Sequence, residues 1–315
     1  MSRLLGCTAM VVATVALSLS ASDVWTDNFA AAKTQAAKEK KDMLLDFTGS
    51  DWCIWCQRLH QEVLNIDTFQ SAAQKNFVLV ELDFPRQKQL PTETRKQNED
   101  LRKQFAIEGY PSIFLTDEKG RPYAKTGYAA GGPEKYLESL EKLRAQKIPR
   151  DEALNKADKA TGVERAKLLD EALTVLASNG ITNGYADLAT EIQTLDKDNT
   201  AGLKKKYEVR AKFNDLMGGL NEGPPDMAAL MTKVEDLLKE SGSGLSAENK
   251  QDLLFLKANI LASKKDMPAA IAALNQSKAA APESERAKMI DQILANIAKQ
   301  AAGAGAQPGT PPGVK

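Results

Sequence analysis

The sequence predicts an α/β domain in the first half of the chain and an all-α domain in the second half. The chain has 315 residues, which is too long for a single hydrophobic core of ordinary size, so two domains are expected. Before Pro149, short apolar runs alternate with helical segments, and after it only helical patterns follow. There are 42 basic residues (Lys and Arg) and 42 acidic residues (Asp and Glu). This balance of charge indicates neither a nucleic-acid partner nor an anionic membrane partner.

The first 22 residues predict a signal peptide, and therefore a periplasmic or secreted protein. Arg3 gives a positive start, residues 4–19 form an apolar run, and small residues favour cleavage after Ser22. The apolar run is short for a membrane span of about 20 residues, although an uncleaved anchor is an alternative. Lipidation at Cys7 is a further alternative, but the apolar run follows this cysteine instead of preceding it. We expect no stable membrane insertion after cleavage.

Strands and helices alternate in the predicted α/β domain. Strands are predicted where apolar runs are bounded by turn residues, at 43–48, 77–83, 112–116 and 122–126. Helices are predicted at 25–41, 53–63, 67–75, 97–105 and 131–147, and a polar loop at 84–94. This order predicts a mixed sheet with helices on both faces.

The second half predicts a helical domain at residues 149–300 and a disordered tail rich in Gly, Ala and Pro at 301–315. Around residues 256–282, two helices and a short turn place small and apolar residues as a tetratricopeptide repeat does, at Ala258, Leu261, Ala270 and Leu274, before Pro282. Ser277 stands where that repeat prefers alanine. An irregular helical bundle is the alternative, and either arrangement indicates an interaction or spacing module.

Cys53 and Cys56 carry the strongest chemical signal in the sequence. Removal of the signal peptide leaves these two cysteines and no third. Two cysteines three positions apart at the start of a helix can close a disulfide without moving the backbone. The helix N-terminus favours a thiolate at Cys53, which predicts that Cys53 is the nucleophile and Cys56 resolves the mixed disulfide.

Two alternatives to redox chemistry remain for the cysteine pair. A zinc site would use both cysteines, His60 and a carboxylate from elsewhere, because zinc needs four ligands, or three from the protein when catalytic. An inert structural disulfide is the other alternative. We expect neither a metal nor another cofactor.

Three separated motifs resemble the thioredoxin superfamily: LDF at 45–47, WCxxC at 52–56 and GYPS at 109–112. Residues 23–147 are most similar to exported bacterial thioredoxin-like proteins and to the C-terminal reductase domain of membrane thiol–disulfide interchange proteins. The resemblance implies a thioredoxin-like α/β fold and a first domain at 23–148. The turn before Cys53 is one residue longer than in thioredoxin, and Ile54-Trp55 replaces the Gly-Pro of thioredoxin.

The resemblance also implies roles for three further residues. Pro111 matches the cis-proline of the family, which exposes the backbone of Tyr110 to an extended substrate. An ordinary trans turn proline is the alternative. Asp46 matches the buried acid beneath the second cysteine, which accepts the proton of the resolving thiol. A strand-end aspartate paired with a lysine is the alternative.

The remaining candidates lie close to the cysteines in sequence. Trp52 matches the tryptophan before the first cysteine, where it either contacts substrate or shields the thiol. Trp55 is interpreted as an exposed apolar lip for partner binding, with packing as the alternative. His60 shares a helix face with Cys56, and we expect an exposed histidine on the helix flank, with a redox role as the alternative.

These features together predict an exported thiol–disulfide oxidoreductase. Ile54-Trp55 brings no cation to stabilise a thiolate, which favours a reductant over a strong oxidant. Its expected partners are protein thiols or disulfides and a redox partner that the sequence does not identify. Two other functions remain open: a binding protein whose helical domain docks a client while the first domain acts as a clamp, and a disulfide isomerase.

Overall fold

The computed structural model describes residues 24–220, 226–242 and 244–304, without the side chains of residues 301–304. The expected signal peptide, residues 1–22, lies outside the described residues. The last helix ends at Ala304, so the first four residues of the expected tail are helical, which their alanine-rich composition favours. Residues 305–315 lie outside the description.

The chain divides into two compact units. The first contains residues up to Ile148 together with Leu176–Gly184, and the second contains Pro149–Val175 and the chain from Tyr185 onward. The expected first domain, 23–148, omits the segment Leu176–Gly184. That segment lies against strand residues of the first unit: a Cβ added to Gly184 would be 2.7 Å from the Pro122 ring, and one added to Gly180 would be 3.1 Å from the Lys125 side chain.

A mixed sheet organises the first unit and confirms its α/β class. The strands are β1 Trp25–Thr26, β2 Asp42–Thr48, β3 Phe77–Asp83, β4 Ser112–Thr116 and β5 Pro122–Thr126. Their order in the sheet is β1-β3-β2-β4-β5. The pairs β1–β3 and β2–β3 are parallel, whereas β2–β4 and β4–β5 are antiparallel.

Helices connect these strands, at α1 Phe29–Glu39, α2 Ile54–Leu59, α3 Asp67–Ala73, α4 Thr92–Gln104 and α5 Gly132–Ala145. The helix expected at 25–41 is wrong at its start, because Trp25–Thr26 is an edge strand and the Asn28 side chain caps α1 by accepting from the Ala31 N–H at 2.9 Å. The helix expected at 53–63 begins at Ile54 and continues as a π-helical segment, His60–Leu64.

Strand β2 lies at the centre of the core. All seven of its residues are buried, as expected for a strand covered on both faces. The Phe47 ring packs against the rings of Phe84, Phe105 and Phe114, with centroids between 5.4 and 6.4 Å away. The carboxyl end of β2 is therefore anchored in a tightly packed apolar core, and the turn that leads to the cysteine motif starts from this end.

The second unit is all-α in its described residues, as predicted. Its helices are α6 Lys147–Ala157, α7 Gly162–Ser178, α8 Ala186–Leu195, α9 Leu203–Gly219, α10 Met227–Glu240, α11 Ala247–Ser263, α12 Met267–Ala280 and α13 Glu285–Ala304; the first begins and the second ends in residues of the first unit. Helices α11 and α12 contain the proposed repeat positions, of which Ala258, Ala270 and Leu274 are buried. Ser277 is also buried, and its hydroxyl donates to the Gln251 carbonyl oxygen at 2.8 Å. A tetratricopeptide array stays a prediction.

Candidate redox site

The two cysteines lie where the turn after β2 enters α2. Cys53 is the N-cap residue of this helix, and the Cys56 N–H donates to the Cys53 sulfur at 3.2 Å. The two residues form a disulfide with their Cα atoms 5.2 Å apart. Cys53 retains 6% of its surface exposed, whereas Cys56 has none. Only the first cysteine is therefore within reach of another molecule.

A tight turn holds the motif against the sheet. The Ser50 backbone N–H and hydroxyl both donate to the Asp83 carboxylate, at 2.9 and 2.6 Å. A Cβ at Gly49 would be 2.6 Å from the Trp52 indole, so only glycine leaves room for this ring. The turn that precedes Cys53 is thus fixed to the carboxyl end of the neighbouring strand.

Trp52, Tyr110 and Pro111 come together beside the disulfide motif. The Trp52 indole N–H donates to the Phe84 carbonyl oxygen at 2.8 Å, and its ring meets the Tyr110 ring edge to face at a centroid distance of 5.6 Å. The Tyr110–Pro111 peptide bond is cis. Because Ser112 pairs with Phe47, this bond lies beside the end of β2 from which the cysteine turn departs.

Trp55 is half exposed and half packed, so each of the two interpretations describes part of its side chain. Its ring lies 5.1 Å from the Tyr128 ring, and the Arg58 guanidinium lies 5.2 Å from its centroid. The exposed fraction of Trp55 is 49%, and that of the adjacent Ile54 is 62%. Two large apolar side chains therefore face solvent between the cysteines.

Asp46 and His60 form a hydrogen-bonded pair that the sequence analysis did not predict. The His60 Nε2 atom lies 2.7 Å from Asp46 Oδ2. Asp46 is fully buried, while 18% of the His60 side chain remains exposed. The expectation of a histidine on an exposed flank is wrong, because His60 opens the π-helical segment and reaches the carboxylate on β2. The other oxygen of this carboxylate, Oδ1, is buried without a hydrogen-bond partner in the described residues.

Burial and mutual attraction shift the pKa values of this pair. Desolvation raises the pKa of Asp46, and the hydrogen bond and charge of His60 oppose that rise without cancelling it. Desolvation lowers the pKa of His60, but the hydrogen bond and charge of Asp46 outweigh it, so that pKa is raised. Burial also raises the pKa of Glu81, which interacts with both members of the pair. The carboxyl groups of Asp46 and Glu81 therefore bind a proton more readily than isolated carboxylates do.

A second feature that the sequence analysis missed is the contact of Asp51 with the loop after β3. Its carboxylate accepts from the backbone N–H groups of Arg86, Gln87 and Lys88, at 2.9, 2.6 and 3.1 Å. These hydrogen bonds hold the pKa of Asp51 below its usual value. The Arg86 guanidinium then lies 4.0 Å from the centroid of the Trp52 ring. A cation does reach the motif, from a distant loop instead of from Ile54-Trp55.

The described residues contain no cluster of three or more His, Cys, Asp or Glu side chains arranged to hold a metal ion. Within the same residues, no helix combines the length and the apolar character that crossing a membrane requires.

Sequence comparisons identify relatives of the first unit. The family described as "Thioredoxin-like domain" matches residues 29–144. The disulfide bond reductase DsbH of Chlamydia pneumoniae is 30% identical over 122 residues, which are 39% of this chain and 74% of that protein. The thioredoxin-related protein DsbJ of Chlamydia pneumoniae is 29% identical over 129 residues, which are 37% of this chain and 37% of that protein.

Two solved structures are also similar. A DsbH oxidoreductase is 27% identical and has a TM-score of 0.37, covering 45% of this chain and 94% of that chain. The oxidised C-terminal domain of Neisseria meningitidis DsbD is 23% identical and has a TM-score of 0.27, covering 36% of this chain and 90% of that chain. The family match spans the domain that holds the Cys53–Cys56 disulfide. The chain therefore belongs to the thioredoxin-like family and is a thiol–disulfide oxidoreductase.

Proposed function

We propose that this protein is an exported disulfide reductant that acts on protein disulfides. In its reduced form, the Cys53 thiolate attacks a substrate disulfide: a bond forms between Cys53 and one substrate sulfur, and the other substrate sulfur leaves as a thiolate. Cys56 then loses its proton and attacks Cys53, which releases the second substrate sulfur. Two electrons pass to the substrate, and a redox partner with a dithiol must return them.

One observation carries this proposal: the disulfide is asymmetric in exposure. Cys53 is partly accessible at the start of a helix, while Cys56 is fully buried one turn later. The N-terminal amides of a helix stabilise a thiolate, and the Cys56 N–H already points at the Cys53 sulfur. An incoming disulfide can therefore meet Cys53 alone, and Cys56 is held for the second, internal step.

Asp46 and His60 supply a route for the proton of Cys56. We assign Asp46 as the acceptor, because the resemblance places the buried acid of the family beneath the second cysteine. Its Oδ1 atom is buried without a partner among the described residues, and its raised pKa matches it to a thiol better than a free carboxylate. His60 is a positioning residue that holds Oδ2 and, through its exposed edge, connects the buried carboxylate with solvent. Proton transfer within such a pair needs no movement of the backbone.

The substrate surface in this proposal surrounds the accessible sulfur. By resemblance to the family, the backbone of Tyr110 pairs with an extended chain, and the exposed side chains of Ile54 and Trp55 offer apolar contact. Trp52 is anchored by its hydrogen bond to Phe84, so it forms a fixed wall. This arrangement suits an unfolded or extended protein segment.

The reducing direction is supported by the relative that is named a disulfide bond reductase. A reductant requires a disulfide potential nearer to thioredoxin, at about −270 mV, than to a strong oxidant, at about −120 mV. Equilibration with glutathione buffers, followed by thiol labelling, measures this value. Export is supported by the sequence of residues 1–22, and the mass of the mature protein in a cell-envelope fraction tests it.

Insulin reduction by dithiothreitol is the test of the proposed activity. We expect the wild-type protein to accelerate insulin precipitation and the Cys53→Ser variant to leave it at the background rate. The Cys56→Ala variant should accumulate mixed disulfides with substrate proteins. If the wild-type protein and Cys53→Ser are equally inactive, the first unit is not a reductase, and the alternative of a binding protein with a clamp would gain support.

A further inference from the structure

A basic groove adjoins the redox site in the first unit. It has a volume of about 440 Å³ and lies between the loop after β3 and helix α4. The residues that define it here are Phe84, Arg86, Lys88, Arg95, Arg102 and Tyr110. Asp83 and Glu99 are the acidic residues of its lining. The groove therefore presents four cationic side chains and two carboxylates.

Both carboxylates of the basic groove are already engaged. Asp83 is buried and accepts the two hydrogen bonds from Ser50, and Glu99 pairs with Arg102 at 2.8 Å. Arg86, Lys88 and Arg95 are exposed, and they form no ion pair with any described residue. Their positive charge is therefore available to a ligand.

The cysteine motif itself holds the cationic side of the groove in place. The Asp51 carboxylate accepts from three consecutive backbone N–H groups of the loop, including those of Arg86 and Lys88. The Arg86 guanidinium lies on the Trp52 ring, whose indole N–H donates to Phe84. The loop cannot rearrange without breaking these contacts, so its backbone and the Arg86 side chain keep a defined position relative to the motif.

The groove is continuous with the surface that faces the accessible sulfur. Tyr110 forms part of its lining and is also the residue before the cis-proline. The Tyr110 ring contacts both Trp52 and Phe84, with centroids 5.6 and 5.3 Å away. A peptide that extends beside Tyr110 would thus lead from the cysteine motif into the basic groove.

We infer that the basic groove binds acidic residues that flank the target cysteine of a protein substrate. This inference rests on the proposed function and specifies its substrate class. Opposite charges arranged near a reactive centre raise the local concentration of substrate and the association rate, by about 10- to 1,000-fold at low salt. The groove would therefore favour disulfides in acidic segments without taking part in the exchange of bonds.

Three peptides of equal length test this preference. Each carries one cysteine blocked by 2-thiopyridine, flanked by glutamates, glutamines or lysines. Every protein tested carries Cys56→Ala, so that the release of coloured 2-thiopyridone reports the attack by Cys53 alone. We expect the acidic peptide to react about 10-fold faster than the neutral one, and the preference to fall at about 1 M salt, where the Debye length is about 3 Å.

Charge variants distinguish an effect of the groove on the peptide preference from an effect of the overall charge of the protein. The readout is the ratio of the acidic-peptide rate to the neutral-peptide rate. We expect Lys88→Gln/Arg95→Gln to lower this ratio by about 3-fold or more, and Lys88→Glu/Arg95→Glu to favour the basic peptide. The matched control, Lys38→Glu/Lys75→Glu, changes the same number of exposed charges outside the groove and should keep the wild-type ratio.

The possible outcomes separate a failure of the groove inference from a failure of the proposed redox function. Equal Cys53-dependent rates for the three peptides would contradict substrate binding by the groove and leave the proposed reductase function intact. Equal effects of the groove variants and the control variant would also overturn it, because overall charge would then explain the preference. If the neutral peptide reacts no faster than it does with Cys53→Ser, the proposed function fails, and this inference fails with it.

Discussion

Two buried aspartates, one in each unit, show how the same side chain can serve chemistry or structure. Asp46 in the first unit has one hydrogen-bond partner, His60, and a second oxygen without a partner in the described residues. Asp196 in the second unit accepts from the backbone N–H groups of Ala201, Leu203 and Lys204 and from the Thr200 hydroxyl, at 2.8 to 3.3 Å. Both residues are buried, with 0% and 1% exposed.

The number of donors decides the direction of each pKa shift. Desolvation raises the pKa of Asp46, and a single histidine does not offset it. Desolvation also opposes the charge of Asp196, but the surrounding N–H groups outweigh it and lower that pKa. A carboxylate with many donors keeps its negative charge and organises a loop. A carboxylate with few donors takes up a proton readily and can assist a thiol.

The largest effect is expected on stability, from Asp196→Asn. Asparagine replaces one carboxylate oxygen by an NH₂ group, which would face backbone N–H donors that then lose their acceptor. We expect the free energy of unfolding to fall by about 1–3 kcal/mol. Urea denaturation followed by circular dichroism measures it. The neighbouring exposed Asp198→Asn is the control and should change stability by less than about 0.5 kcal/mol.

The next effect is expected on activity, from Asp46→Asn. Asparagine keeps the size of the side chain but cannot accept the proton of Cys56, so the resolution step should slow by about 10- to 100-fold. Stability should stay level or rise, because a buried charge is removed. Stopped-flow tryptophan fluorescence follows this step, and Asp196→Asn is the control that should leave it unchanged. An unchanged rate in Asp46→Asn at every pH would assign Asp46 a structural role.

The pH dependence of stability should have opposite signs for the two aspartates. The pKa of Asp196 is lowered on folding, so the advantage of the wild type over Asp196→Asn is present above about pH 3.9 and is lost as the pH falls through the folded value. The pKa of Asp46 is raised, so the wild type loses stability relative to Asp46→Asn as the pH rises from about 3.9 through the folded value. Denaturation across pH measures both slopes, and slopes of the same sign would contradict the comparison.

The smallest effect is expected from His60→Gln. Removing the partner of Asp46 Oδ2 raises the pKa of Asp46 further, so a smaller fraction of Asp46 is ionised and able to accept a proton at a given pH. The resolution rate should therefore fall about 2- to 10-fold, and its pH profile should move to higher pH. If His60 acts through Asp46, the double variant Asp46→Asn/His60→Gln is no slower than Asp46→Asn alone. Additive losses in the double variant would mean that His60 acts independently.

The sequence alone was sufficient to predict the core strands of the first unit and the redox-active cysteine pair. Strands β3, β4 and β5 have their predicted bounds. Strands β3 and β4 are mainly apolar runs, and β5 follows the hairpin turn at 118–121. Strand β1 was missed because its two residues, Trp25 and Thr26, give no periodic pattern and become a strand by pairing with β3. A local sequence pattern predicts a strand or helix when the side chains of that segment themselves favour its formation.

The polar contacts that organise both units gave no signal in the sequence. His60 and Asp46 are 14 positions apart, and the π-helical segment that brings them together has no sequence signal of its own. Arg86 lies against Trp52 only because Asp51 binds the backbone of its loop, and backbone N–H groups are the same in every sequence. For the same reason, the donors around Asp196 could not be identified from the residues that carry them.

One titration tests the central claim of this comparison most directly. Carbon-13 NMR of the side-chain carboxyl groups follows both aspartates in a single sample, and Asp46→Asn and Asp196→Asn assign the two signals. We expect Asp46 to titrate above the unperturbed value of about 3.9 and Asp196 below it. A pKa of Asp46 at or below that of Asp196 would contradict the assignment of Asp46 to proton transfer.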